Sequence, residues 1–230
     1  MSADDEKRLA GEAAAGRVED GMVLGLGTGS TAAWFVRALA DRIAAGLKVS
    51  GVPTSSQTAD LAGSLGIPLV KIDAVRQIDL TVDGADEIGP GLALIKGGGG
   101  ALLREKLVWE ASARCLVIAD SAKRVARLGR FPLPIEVVAF GHVRTANRIA
   151  DVLADHEIGV GPRLRVKDGK PVVTDSGNLI YDAACGAIAA PAALAAELKA
   201  VTGVVEHGLF LDLADEGILG VGAAVEWLAP

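Results

Sequence analysis

Strand and helix signals alternate through the first half of this chain, and that alternation restricts the fold more than any other feature. Residues 3–18 read as a helix, and 22–26 as a short apolar strand that runs into a glycine-rich loop. From Ser30 the segment STAAWFVRALADRIAAG repeats apolar residues at helical spacing and stops at Gly46. Strands are expected at 48–52, 68–72 and 78–82, helices at 57–65 and 101–114, and an apolar strand at 115–119. A series of this kind closes as a parallel sheet with right-handed crossovers.

After Arg130 the rhythm changes. Residues 134–140 read as a strand and 143–156 as a helix, and 164–167 with 172–175 as a hairpin turning at Asp168-Gly169. A further strand at 178–184 and a helix at 191–201 complete a β-α-β-β-α order, which fits a small ferredoxin-like α+β domain. The short apolar strands of 204–225 are expected to rejoin the first sheet. The expected architecture is therefore an α/β Rossmann-like domain from residues 1–129 and 204–230, with a smaller α+β domain at 130–203.

Composition agrees. Half of the residues are hydrophobic but only 3% are aromatic, so the apolar mass is Ala, Val, Leu and Ile, which suits helices covering a sheet on both faces. The net charge of −6 argues against nucleic acid, and it obliges any bound phosphate to be held by local donors. The start MSADDEKRLA is charged from its fourth residue, so no signal peptide is expected. The most apolar tract, 186–196, is broken by Pro191 and too short for a bilayer. Cys115 and Cys185 each stand alone in apolar sequence and read as buried reduced thiols, with a disulfide or a catalytic thiol as the alternatives.

Three segments carry chemistry. GLGTGST at 25–31 lies between a strand and a helix. Free N–H groups and the helix dipole there form an anion site, to which Ser30 and Thr31 add hydroxyls. A dinucleotide fingerprint fails because Ser30 takes the place of the third glycine and Pro53-Thr54-Ser55 offers no acid for a ribose. A plain glycine turn with a Ser N-cap is the remaining alternative. DGADE at 83–87 ends an apolar strand, where open α/β sheets place their ligands. Its three carboxylates suit sugar hydroxyls, a divalent cation, or the capping of a turn. KGGGG at 96–100 lets backbone approach a ligand closely, and the helix after it carries Arg104-Glu105-Lys106. At 100° per residue Glu105 falls between Ala101, Val108 and Trp109, an apolar sector. Desolvation there is expected to raise its pKa toward that of a general base; the rival is a surface Glu paired with Arg104 or Lys106. Lys123 follows another apolar strand and is a further candidate for the anion.

Together these segments resemble ribose-5-phosphate isomerase, type A. The resemblance rests on GLGTGST at 25–31, DGADEI at 83–88, KGGGGALLREK at 96–106 and IADSAK at 118–123, with weaker agreement at PTSSQT (53–58), SGNLIYD (176–182) and GVVEHGLF (203–210). It implies a cytoplasmic aldose–ketose isomerase of the pentose phosphate pathway that acts on a sugar phosphate without cofactor or metal and assembles as a homodimer or homotetramer. It implies Glu105 as the base, with Asp83, Asp86 and Lys96 as its catalytic company. Thr28, Gly29, Ser30, Thr31, Gly84, Ala85, Gly97, Gly98, Gly99 and Lys123 take further substrate contacts. The tract 131–175 matches only loosely. Coenzyme A transferases share the layout and a catalytic glutamate, there a nucleophile.

Overall fold

A computed structural model describes residues 2–230. They divide into two compact units: residues up to Ala85 with Arg104–Arg124 and Asp212–Pro230, and Asp86–Leu103 with Val125–Leu211.

The first unit is a sheet of six strands, β1 (Val23–Leu26), β2 (Ser50–Pro53), β3 (Leu80–Gly84), β4 (Cys115–Asp120), β5 (Glu216–Val221) and β6 (Ala224–Leu228). Their order is β6-β5-β4-β3-β1-β2, parallel throughout except for the β5–β6 hairpin. Helices α1 (Ala3–Ala15), α2 (Ser30–Ala44), α3 (Ser56–Ser64) and α4 (Leu102–Glu110) accompany it. Every residue of β4 is buried, as a central parallel strand covered on both faces requires. Leu24, Leu26, Phe35, Val36, Leu39, Val82, Ile118 and Ile218 are fully buried in one core, each side chain worth about 1.5–3 kcal/mol in transfer.

The second unit holds a four-stranded antiparallel sheet in the spatial order Val204–His207, Leu133–Val137, Leu179–Ala183, Arg163–Leu164. With helices α5 (His142–Asp155) and α6 (Pro191–Ala200) its chain order is β-α-β-β-α-β, the ferredoxin-like arrangement. Leu133, Ile135 and Val137 alternate into a core with Ile149, Leu153, Leu194 and Leu198. A small three-stranded sheet joins Glu87–Ile88, Leu94–Ile95 and Leu209–Phe210.

The differences from the sequence reading have physical causes. Residues 204–207 pair with Leu133–Val137 rather than rejoining the first sheet, which only 216–228 do. Residues 86–103 and 125–129, read as part of the first domain, cluster with the second unit. In place of a strand at 68–72 there is an isolated bridge at Leu69 and a 3-10 turn, Ile72–Ala74. The hairpin at Asp168-Gly169 forms, both turn residues at positive φ, but pairs only Val166–Lys167 with Lys170–Pro171. The helix expected over 101–114 stops at Glu110.

Glu6 on α1 fastens this helix to the first unit. Its carboxylate accepts from Ser121 N at 3.0 Å, Ser121 Oγ at 2.7 Å and Gly222 N at 2.9 Å. These bonds, the Gly222 N–H foremost, hold its pKa below the ordinary 4.5. The charged form is thus favoured in the folded state, and the stability it contributes is present above pH 4.5 and lost as pH falls through the lowered value. Glu6→Gln should therefore melt about 2–4 °C below the parent at pH 7. The two melting curves should converge on acidification. A gap that stays constant with pH would show that the ionised carboxylate is not what fastens α1.

Candidate functional site

The carboxyl ends of three neighbouring strands of the first unit, β1, β3 and β4, carry the first set of candidate residues. β1 ends in the loop that opens α2. Gly29 is the N-cap, without a side-chain cap bond, so Ser30 is the first helical residue and not the cap. Ser30 is exposed and Thr31 buried at 8%, which leaves the N–H groups of the first turn facing an opening at the helix start.

Asp83, at the end of β3, is fully buried. It accepts from Thr28 N at 3.0 Å, Gly84 N at 2.7 Å and Trp109 Nε1 at 3.2 Å. One carboxylate thus ties the β1 loop, its own turn and α4 together. Gly27 is required because a Cβ there would fall on the Asp83 side chain and 2.5 Å from its Cα. The Thr28 hydroxyl is turned inward, into a cluster with Thr54 at 2.7 Å, Ser55 at 2.8 Å and Thr58 at 3.1 Å. Thr28, expected as a substrate contact, thus has its hydroxyl within this cluster and its N–H on Asp83. Gly84 lies beside this loop, its Cβ direction meeting Thr28 O and the Thr31 Cβ at 3.9 Å. Ala85 follows it, half-buried. Lys123 closes the turn Ser121–Lys123 after β4, half-buried, and Glu6 and Asp120 hold that turn.

Glu105 stands in the first turn of α4 at 4% exposure. Ala101, Leu102, Val108 and Trp109 are buried with it, the apolar sector that helical spacing gives, and the surface alternative does not hold. The positive end of the helix favours a carboxylate at this position.

The second unit holds the other set. Lys96 follows the strand Leu94–Ile95, and its N–H donates to Gly208 O at 2.8 Å. It is 2% exposed, its ammonium 5.4 Å from the centre of the Phe210 ring, a contact that holds a desolvated cation. Gly97 is buried, while Gly98 and Gly99 are exposed. Asp86 accepts from Gly98 N at 2.7 Å. Glu87, the third acid of the DGADE segment, points away from such work: its two oxygens accept from Gly129 N at 2.7 Å and Phe131 N at 2.6 Å. Among the described residues no group of three or more His, Cys, Asp or Glu is placed to hold a metal ion.

Cys115 and Cys185 are free thiols. Burial pushes the Cys185 thiol up to about 11, far from the thiolate that a nucleophile needs. No helix among the described residues is long and apolar enough to cross a membrane.

Sequence reading missed the Thr54, Ser55 and Thr58 cluster, the Trp109 bond to Asp83 and the Phe210 ring. Each comes to its partner from 26 to 114 positions away, and no local pattern announces it.

Comparison with known proteins makes this α/β chain an isomerase of sugar phosphates. A family model described as ribose 5-phosphate isomerase A (phosphoriboisomerase A) matches residues 50–223. The chain belongs to that family, which interconverts ribose 5-phosphate and ribulose 5-phosphate in the pentose phosphate pathway. A ribose-5-phosphate isomerase A from Caulobacter sp. (strain K31) is 67% identical over 230 residues, covering 100% of both chains. The solved ribose 5-phosphate isomerase A of Methanocaldococcus jannaschii gives a TM-score of 0.92 at 38% identity, covering 100% of each chain. A solved D-ribose-5-phosphate isomerase in complex with phospho-erythronic acid gives 0.92 at 38% identity, again over 100% of each chain.

Proposed function

We propose that this chain interconverts ribose 5-phosphate and ribulose 5-phosphate through an enediolate, with Glu105 as the base. The observation that carries the reading is the Glu105 carboxylate, held at 4% exposure in the first turn of α4. A carboxylate out of bulk water, on a rigid helix, is suited to take a proton from carbon. Glu105 removes the C2 proton of the open-chain aldose. The electron pair moves to the C1 carbonyl oxygen, a proton passes from the C2 hydroxyl to that oxygen, and return of the abstracted proton to C1 as the C2 carbonyl forms gives the ketose. Lys96 and the N–H groups of Gly97 and Gly99 meet the negative charge that develops on the oxygens, and Gly98, its N–H held by Asp86, carries the loop past the substrate. Asp83 and Asp86 contact the sugar and assist ring opening, beside their bonds to backbone. The turn Gly84-Ala85 lines the sugar. The phosphate sits at the start of α2, on Gly29, Ser30 and Thr31, with Lys123 as a second contact, and fixes the reacting carbons. The route calls on no cofactor. We place the enzyme in the cytoplasm as a homodimer or homotetramer.

A coupled assay of ribose 5-phosphate turnover on purified protein tests the activity, and absence of turnover overturns it. The anchor is tested separately. Changing both Ser30 and Thr31 to Val crowds the helix start and removes two hydroxyls. KM for ribose 5-phosphate should rise about 10–100-fold, as for loss of one or two charge-assisted hydrogen bonds, and inhibition by inorganic phosphate should weaken in parallel. Unchanged phosphate inhibition would move the anchor to Lys123.

A further inference from the structure

Arg165 does nothing in the account above, yet its guanidinium reaches the glycine loop. Nε and Nη2 grip Asp182 in a bidentate pair at 2.8 and 2.5 Å. Nη1 then donates to the carbonyl oxygens of Gly97 at 2.8 Å and Gly98 at 3.2 Å. The same stretch of loop is held from its other side by Asp86, which accepts from Gly98 N. A Cβ on Gly98 would stand 2.5 Å from the Asp86 carboxylate, and Gly97 sits at φ +105°. This loop is therefore a backbone of high intrinsic freedom fixed by its own bond from Gly100 N to Gly97 O at 3.0 Å, by an anion on an N–H and by a cation on two carbonyls.

We propose that Arg165, aimed by Asp182, is a positioning residue for isomerisation. It orients the two peptides that carry the Gly97 and Gly98 carbonyls so that the Gly99 N–H is preset for the enediolate oxygen while the Gly98 N–H stays on Asp86. The inference rests on the enediolate reading of the site. Carbonyls tied to a cation rotate their peptides as a unit, so the direction of the neighbouring N–H groups is fixed before substrate arrives. Donors fixed in advance act on charge that develops in the transition state, more than on substrate binding. Lysine cannot replace arginine here, since one ammonium does not span a carboxylate and two carbonyls in a plane.

Arg165→Ala should lower kcat by about 10–100-fold, the scale for small misplacement of catalytic groups, with KM changed less than about threefold. Arg165→Lys should recover only a minor part, and Asp182→Asn should show the same kcat-weighted loss in milder form. Both variants keep the test alive should Arg165→Ala fold poorly. Arg165 and Asp182 line an open cleft of about 420 Å³, so guanidinium added to Arg165→Ala has a path to the vacated place and should restore part of kcat. Thr174→Val serves as the control. It removes a 2.8 Å bond to the buried Glu136 of the same unit and leaves the loop untouched, so it should cost stability without costing kcat. An active parent with Arg165→Ala turning over at the same rate overturns the inference and leaves the functional reading standing. So does a kcat loss in Thr174→Val as large as that of Arg165→Ala. A parent inactive on ribose 5-phosphate sinks the functional reading and this inference with it.

Discussion

Glu105→Gln should bind ribose 5-phosphate nearly as the parent does and turn it over about 10²–10⁴-fold more slowly, the range for loss of a positioned acid–base group. The substitution keeps the volume of a side chain that is 4% exposed, so the surrounding core has no cavity to absorb. It removes the basic oxygen alone, and an interaction used only on the way to the transition state shows in kcat and not in KM. Isotope adds an independent reading. The parent in deuterated water should place deuterium on C1 of ribulose 5-phosphate, and the variant should lose that wash-in together with turnover. Parental rates in Glu105→Gln would falsify the assignment of the base. Complete retention of the C2 hydrogen in the product together with a requirement for a metal ion would point to hydride transfer and sink the enediolate itself.

Asp83→Asn should cost stability as well as activity. The native carboxylate accepts N–H bonds from Thr28, Gly84 and Trp109 at a fully buried position. Asparagine presents an NH₂ to at least one of those donors, leaving it buried and unmet at about 1–3 kcal/mol, and weakens the rest by removing the charge. A total of about 2–4 kcal/mol corresponds to a fall of roughly 5–15 °C in melting temperature for a chain of this size. Turnover should drop at least tenfold in the surviving folded protein, because the Thr28 N–H and the start of α2 lose their common anchor. Calorimetry and kinetics on the same sample separate the roles. Lost turnover with an unmoved melting temperature would make Asp83 a sugar contact that the scaffold does not need.

What could be read from the chain follows from how far each signal reaches. The β1 loop and α2 are written in contiguous residues, and so is the buried side of α4, because a period of 3.6 is visible within a few turns. Glu105 was legible for that reason. The partner of a strand is a different kind of information. Val204 and Val205 suit a strand of either sheet, and only the bonds to Leu133–Val137 decide. The same holds for Glu87: within DGADE it looks like its neighbours, and its commitment to Gly129 and Phe131 lies 42 and 44 residues away. Arg165 sits in a stretch where periodicity is weak and family agreement loose, and nothing local marks it as reaching Gly97, 68 positions back.

The path of the chain between the two units has a consequence for biosynthesis. β4, made about a hundred residues before it, takes β5 as its parallel neighbour, and β5 lies at Glu216–Val221. One edge of the first sheet thus stays unfilled until Glu216–Val221 has left the ribosome, while Val125–Leu211 emerges ahead of the closing strand. An exposed apolar strand awaiting its neighbour is a template for wrong pairing. The nascent chain is thus most open to aggregation late in translation, and a ribosome stalled before residue 216 should present a holdase chaperone with its best target.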